Sequence, residues 1–323
     1  MCVGREFFHL SLKYAEDRSV RRMIEEKKQK QKRFSFEKII PYILLFTAIV
    51  SVLTTIGIVF TLIFETFEFF SRVSIVDFFT EKKWYPFSAE GATFGVMSLI
   101  AGTLKVTAIA AIVAVPIGLA TAIFLSEYAS ERARKLVKSV LEVLAGVPTI
   151  VYGFFALTFV TPMLREITPS LQIFNAFSPG LVVGIMITPM VASLSEDALG
   201  SVPKSIREGA YALGATKLET IFKIILPAAL SGIVASIVLA VSRAIGETMI
   251  VSVAAGATPS LSWDLTSSIQ TMTSYIVQVS TGDAGYGTTI YYSIYAVGML
   301  LFLFTLVMNL LAQLISRRFR EEY

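Results

Sequence analysis

Two charges stand four residues apart in a run that is otherwise apolar: Arg243 and Glu247 in VLAVSRAIGETMIVSV. At helical spacing such a pair shares one face, and a charge in mid-membrane costs at least about 2.5–3.5 kcal/mol. Either the pair neutralises itself or a sister subunit and holds helices together, or it faces a wet pathway. In the second reading Arg243 lends positive potential to an anion route. Glu247 then holds its rotamer and moderates its affinity, since a lone guanidinium grips a dianion too firmly for release. Thr103 and Thr107, also four apart, either offer hydroxyls to a passing anion or back-bond their own helix. Lys105, inside the same apolar run, either snorkels to an interface or lines a mouth.

Other chemistries are excluded. Cys2 is the only cysteine and His9 the only histidine. That removes an internal disulfide, a cysteine metal site, an HExxH zinc helix and a Ser-His-Asp triad. No G-x-x-x-x-G-K-[ST] occurs, so any work that needs ATP requires an ATPase on another chain.

The elements that must position these residues are membrane helices. Of 323 residues, 54% are hydrophobic and 16% charged, and the apolar excess lies in long blocks, so the expected class is all-α integral membrane. Six stretches are long enough to span: 39–64, 95–125, 136–163, 179–195, 225–253 and 290–315. Gly146 and Pro148 are expected to interrupt the third, and Pro189 the fourth. The first is too long for a signal-peptide core and has no small-residue cleavage site after it.

Residues 1–38 hold eleven of the 28 Lys and Arg. Most others fall in 126–138, in 196–224 and near the C-terminus, and the alternate segments hold only Arg72, Lys82, Lys83 and Arg165. By the positive-inside rule both termini are cytoplasmic. The net charge of +4 is thus a topology signal and not a nucleic-acid footprint. Residues 1–38 read as a basic cytoplasmic tail against anionic lipid, and 39–323 as the six-helix membrane domain. External loops are expected at 65–94, 164–178 and 254–289, the last containing the amphipathic, hydroxyl-rich LTSSIQTMTSYIVQV.

The cytoplasmic loop at 196–224 contains the start of EGAYALGATKLETIFKIILP, Glu208 to Pro227. It reads as two short helices. Ser205 and Glu208 suit a capping box, Gly214 a left-handed stop, and Thr216 and Glu219 a second box before Pro227 opens the fifth span. Small residues near the turn would let another surface come close, and on local features an interfacial hairpin on the bilayer is equally open.

This loop resembles the signature of ABC importer permeases, E-A-A-x3-G-x9-I-x-L-P. The chain has Glu208, Gly209, Ala210, Gly214, Ile224, Leu226 and Pro227 at that spacing, with Gly209 in place of the first alanine. Three further stretches are similar to the phosphate branch of the family: WYPFSAEGATFGVMSLIAGTLKVT, LAGVPTIVYGFFAL and SRAIGET. Trp84, Pro86, Gly95, Gly102 and Thr103 in the first favour the PstC type over the sister PstA type. The resemblance covers roughly residues 65–315.

It implies a type I importer permease fold with a cytoplasmic coupling helix, in which Glu208, Gly209, Ala210, Gly214, Ala215, Leu226 and Pro227 seat an ATPase subunit. It also implies a non-catalytic channel subunit in the cell membrane, with a homologous second permease, two ATPase subunits that bind ATP and Mg, and an extracytoplasmic phosphate-binding protein. No cofactor is expected in this chain. Permeation of phosphate past Arg243, Glu247, Thr103 and Thr107 is the leading expectation. Sulfate, molybdate or phosphonate is the alternative cargo. An ion-coupled carrier would need midplane carboxylates beyond Glu247 and an internal repeat, neither of which is visible.

Overall fold

The computed structural model describes residues 39–88, 91–282 and 284–318. The tail expected at 1–38 lies outside them, as do Glu90, Asp283 and Arg320. The chain divides after Thr61 into two units. The described part of the first is the start of a long helix, α1 (Ile40–Arg72). Its Thr47, Thr54, Thr55 and Thr61 hydroxyls donate to carbonyls one turn back. These four hydroxyls are thereby satisfied inside an apolar helix.

The second unit begins at Leu62, and its regular structure is helical apart from one small hairpin. After α2 (Ile75–Thr80), strands β1 (Trp84–Tyr85) and β2 (Thr93–Phe94) pair antiparallel with Trp84 opposite Phe94. Then come α3 (Met97–Ile123), α4 (Glu131–Gly146), α5 (Thr149–Phe155) and α6 (Thr161–Ile167). They are followed by α7 (Phe177–Gly200), α8 (Lys204–Ala212), α9 (Lys217–Thr220) and α10 (Leu226–Ala228). The last are α11 (Leu230–Ile245), α12 (Met249–Ala254), α13 (Met272–Thr281) and α14 (Thr289–Arg318). Among the described residues five helical segments are long and apolar enough to span, or six if the pair bent by 70° at Ala229 counts as one.

Helices α3 and α7 run parallel and touch through glycines. A Cβ at Gly180 would lie 2.7 Å from that of Ile109, one at Gly184 2.8 Å from Val113, and one at Gly118 2.7 Å from Val191. Small residues bring membrane helices together because lipid offers no hydrophobic drive to associate. Val106, Ala110, Ala114, Val183, Ile187 and Val191 form the core of this seam.

Sequence expectation and structure part at three spans. The third does not start at 136: Val147 and Pro148 are extended, at ψ 129° and 135°, and split α4 from the span that begins at Thr149. The residue before a proline avoids helical backbone, and Pro148 lacks an N–H to continue the ladder. Pro189 breaks nothing, because α7 runs through it. The fifth expected span, 225–253, is divided at Ala229 and again over Gly246–Thr248.

Two ends of the unit can be distinguished by contacts. At the ring end Phe69, Phe78, Trp84, Phe94 and Tyr275 meet edge-on, and residues 172–176 bond to 254–268. At the loop end residues 124–138 meet 196–223.

Candidate functional site

The loop end presents a helix–turn–helix. Helix α8 starts after Pro203, which contributes no side-chain cap. The box expected from Ser205 and Glu208 therefore does not form, because the helix begins ahead of Ser205 and Glu208 lies in mid-helix, exposed. Gly214 adopts φ +84°, the left-handed conformation that side chains disfavour. The box at Thr216 and Glu219 is complete in both directions. The N–H of Thr216, then its hydroxyl and Lys223, hold the Glu219 carboxyl below its usual range.

Ala210 is buried and Ala215 half-buried, while Glu208, Gly209, Gly214 and Pro227 are exposed. What stands out is apolar: Leu213 is 91% exposed, Leu218 60% and Phe222 62%. Ile221 and Ile225, on the opposite face, are fully buried against Leu199 and Ile233. The loop thus has one face rooted in the bundle and one bare.

Ion pairs root it further. Arg207 of α8 reaches Glu127 at 3.0 Å and donates to the Leu199 carbonyl at 2.6 Å. Lys217 lies 4.3 Å from the Tyr128 ring centroid. Glu196 at the end of α7 has a fully buried side chain. Arg134 of α4 donates to its Oε1 at 2.6 Å. Lys138 stands 3.0 Å from Oε2 as a charge contact without hydrogen-bond alignment. A carboxylate removed from water is tolerable only with such company.

The residues expected to line a pathway are dispersed. Arg243 and Glu247 do not share a helical face, since α11 ends at Ile245 and Gly246 caps it. Glu247 instead turns its Oε1 to the N–H groups of Met249 and Ile250, at 3.1 and 3.3 Å, and caps α12. The expected hold of Glu247 on the Arg243 rotamer is absent. The reason is glycine: it ends the helix between them, and the freed N–H groups donate to the carboxylate instead.

Arg243 lines a cavity of about 340 Å³ with Lys138, Glu142, Pro189 and Ser193. Thr103 and Thr107 lie elsewhere, buried. Thr103 donates to Leu99 O and accepts the Met272 N–H at the start of α13, and Thr107 donates to Thr103 O. Both hydroxyls are engaged in holding structure. Lys105 does not snorkel either: it is buried and donates to the carbonyls of Ser260 and Ser262. Nearby, Thr266 donates its hydroxyl and N–H to Asp264 and holds that carboxyl below its usual range.

Residues 114–321 match the family described as the binding-protein-dependent transport system inner membrane component. The chain belongs to that family. Helices that span, a rooted loop with a bare apolar face and a charged cavity are the parts of an ABC importer permease subunit. One relative is a probable ABC transporter permease protein, YqgH, of Bacillus subtilis, 35% identical over 76% of this chain and 79% of that one. Another is the phosphate transport system permease protein PstC of Pasteurella multocida, 32% identical over 86% and 90%. In fold the permease resembles a chain from the crystal structure of a bacterial alginate ABC transporter in complex with an alginate-bound periplasmic protein. The TM-score is 0.56 at 17% identity, over 88% of this chain and 98% of that one.

Sequence reading of the permease missed the Glu196 cluster and Glu127–Arg207. Glu196 and Arg134 are 62 residues apart, and no local pattern joins them. A signal did exist: Glu196 is an acid at the end of an apolar helix, which must find a cation or water.

Proposed function

We propose that this permease forms part of the membrane pathway of an ATP-driven inorganic phosphate importer, with the loop end in the cytoplasm. The single observation that carries this is the loop from Lys204 to Ala228, which exposes Leu213, Leu218 and Phe222 while its other face is rooted by Ile221, Ile225 and Arg207. Rigid roots and a bare apolar face suit a surface that receives force from another protein.

In this reading two ATPase subunits, holding ATP and Mg, seat on this loop and on that of a homologous second permease. Their closure moves the loop, and Arg207, Lys217 and the Glu196 cluster carry the displacement to α3, α4 and α7. An extracytoplasmic phosphate-binding protein delivers the anion at the ring end. The sidedness is supported by charge: Arg132, Arg134, Lys135, Lys138, Lys204, Arg207, Lys217 and Lys223 gather at the loop end. Phosphate as the cargo is supported by the PstC relative and by Arg243, whose guanidinium has no partner among the described residues, in its cavity.

The test reconstitutes the chain in vesicles with its second permease and ATPase, and follows ATP hydrolysis as binding protein is added empty or loaded with phosphate, sulfate or molybdate. Stimulation confined to phosphate is expected. Stimulation by another oxyanion moves the cargo, and failure of an ATPase to assemble removes the role given to the loop.

A further inference from the structure

The cavity that holds Arg243 contains more chemistry than an attractive charge. Helix α4 contributes Lys138 and Glu142, α7 contributes Ser193, and α11 contributes Arg243. Glu142, Ser193 and Arg243 have no hydrogen bond or ion pair among the described residues, although an acid and two bases line one space. Opposite charges that line one cavity without pairing leave donors and an acceptor free at once. Lys138 is only loosely engaged, because Arg134 already holds Glu196 at Oε1 and Lys138 meets Oε2 without hydrogen-bond alignment. A volume of about 340 Å³ is that of a small-molecule site and leaves room for an anion with water.

The ligand such a lining recognises must accept hydrogen bonds and also donate one. A fully deprotonated oxyanion satisfies Lys138, Ser193 and Arg243 but meets Glu142 as a like charge. Phosphate near neutral pH still carries a proton, and sulfate carries none. We infer that the Lys138–Glu142–Ser193–Arg243 cavity is a phosphate site in which Glu142 selects the protonated oxyanion. Its carboxylate accepts the P–OH hydrogen, while the ammonium, hydroxyl and guanidinium donate to the remaining oxygens. This rests on the phosphate reading above and adds to it a selectivity residue inside the membrane subunit.

The discrimination has a physical size. A site built around a ligand hydroxyl rejects the analogue without one because the buried acceptor is left unpaired. Here Glu142 is exposed to the cavity, so the difference is smaller than in a sealed site. The carboxylate also weakens the grip of two cations, and a transport site must release what it holds.

The test uses the assembled complex in detergent. Cys2 is the only cysteine, so a Cys2→Ser background accepts one reporter, Ala145→Cys, on the cavity wall. The rate at which a charged thiol reagent labels it is measured with inorganic phosphate or inorganic sulfate. Phosphate is expected to slow labelling at concentrations about ten-fold lower than sulfate. Glu142→Gln should bring the two anions close together, Glu142→Asp should restore the preference, and Lys138→Gln should weaken protection by both.

Protection by neither anion overturns the site, and an unchanged ratio in Glu142→Gln overturns the role of Glu142. Phosphate-stimulated ATP hydrolysis in the same preparation reports separately on the proposed function. If that is missing while phosphate still protects, the cavity inference stands and the importer reading falls.

Discussion

At the ring end Trp84 is 1% exposed, and Phe78, Phe94 and Tyr275 meet it edge-on at 4.8–6.2 Å. At the loop end Leu213 is 91% exposed, and much of what fastens the segment is charge, Arg207 to Glu127 and Arg134 to Glu196. Rings stabilise by removing area from water and by edge-to-face geometry, and both are satisfied inside this chain. Ion pairs and caps fix direction while contributing less net stability. One end is packed within the chain, although Trp84 Nε1 finds no acceptor among the described residues. The other is oriented but uncovered, which is the condition of a surface that works against a partner.

The comparison can be broken by substitution. The largest effect on stability is expected from Trp84→Ala, about 3–5 kcal/mol for a buried tryptophan, read as a fall in Tm of the purified chain. A Tm like that of the wild type would mean that the ring end is not the anchor.

Gly214→Asp should cost less, about 1–2 kcal/mol for a side chain forced into left-handed backbone. Nothing lies within 4 Å of an added Cβ there, so the protein should still insert. Its ATPase should no longer co-purify, and normal co-purification would count against the loop as a docking surface.

The smallest effect concerns Glu219, whose pKa is lowered from 4.5 by its bonds to Thr216 and Lys223. A depressed carboxylate adds stability that is present in full above the unfolded value and disappears as pH falls through the folded one. The Tm difference between wild type and Glu219→Gln should therefore be constant at neutral pH and close in acid. A difference that persists in strong acid would remove the charge from the explanation.

Much of the loop end was legible before the fold. The Ser205–Glu208 box fails because α8 starts at Lys204, but Gly214 and the Thr216–Glu219 box form, since each needs only its own local residues. The apolar blocks located the membrane helices for the same reason. What stayed hidden depended on competition or distance. Glu247 had two possible partners, Arg243 at helical spacing and the N–H groups opened by Gly246, and only the folded chain shows that the second prevails. Thr103 was open between an offered hydroxyl and one bonded within its own helix, and only the fold shows that α13 brings the N–H of Met272 to it across 169 residues. Glu142 was unremarked because a lone acid on an amphipathic helix has no pattern of its own. Its meaning comes from Ser193 and Arg243 across the cavity.

The glycine seam between α3 and α7 has a mechanical corollary. Val191 fills the notch at Gly118, and Ile109 and Val113 fill those at Gly180 and Gly184. Sliding either helix lengthwise would drive these branched side chains onto backbone, so the pair resists shear and turns only as one bar. Compliance must then be found at the joints, at the 70° elbow of Ala229 and the uncoiled Gly246–Thr248. In engineering terms α3 and α7 are a stiff beam, α11 is a link jointed at both ends, and Arg243 stands beside one of its pivots.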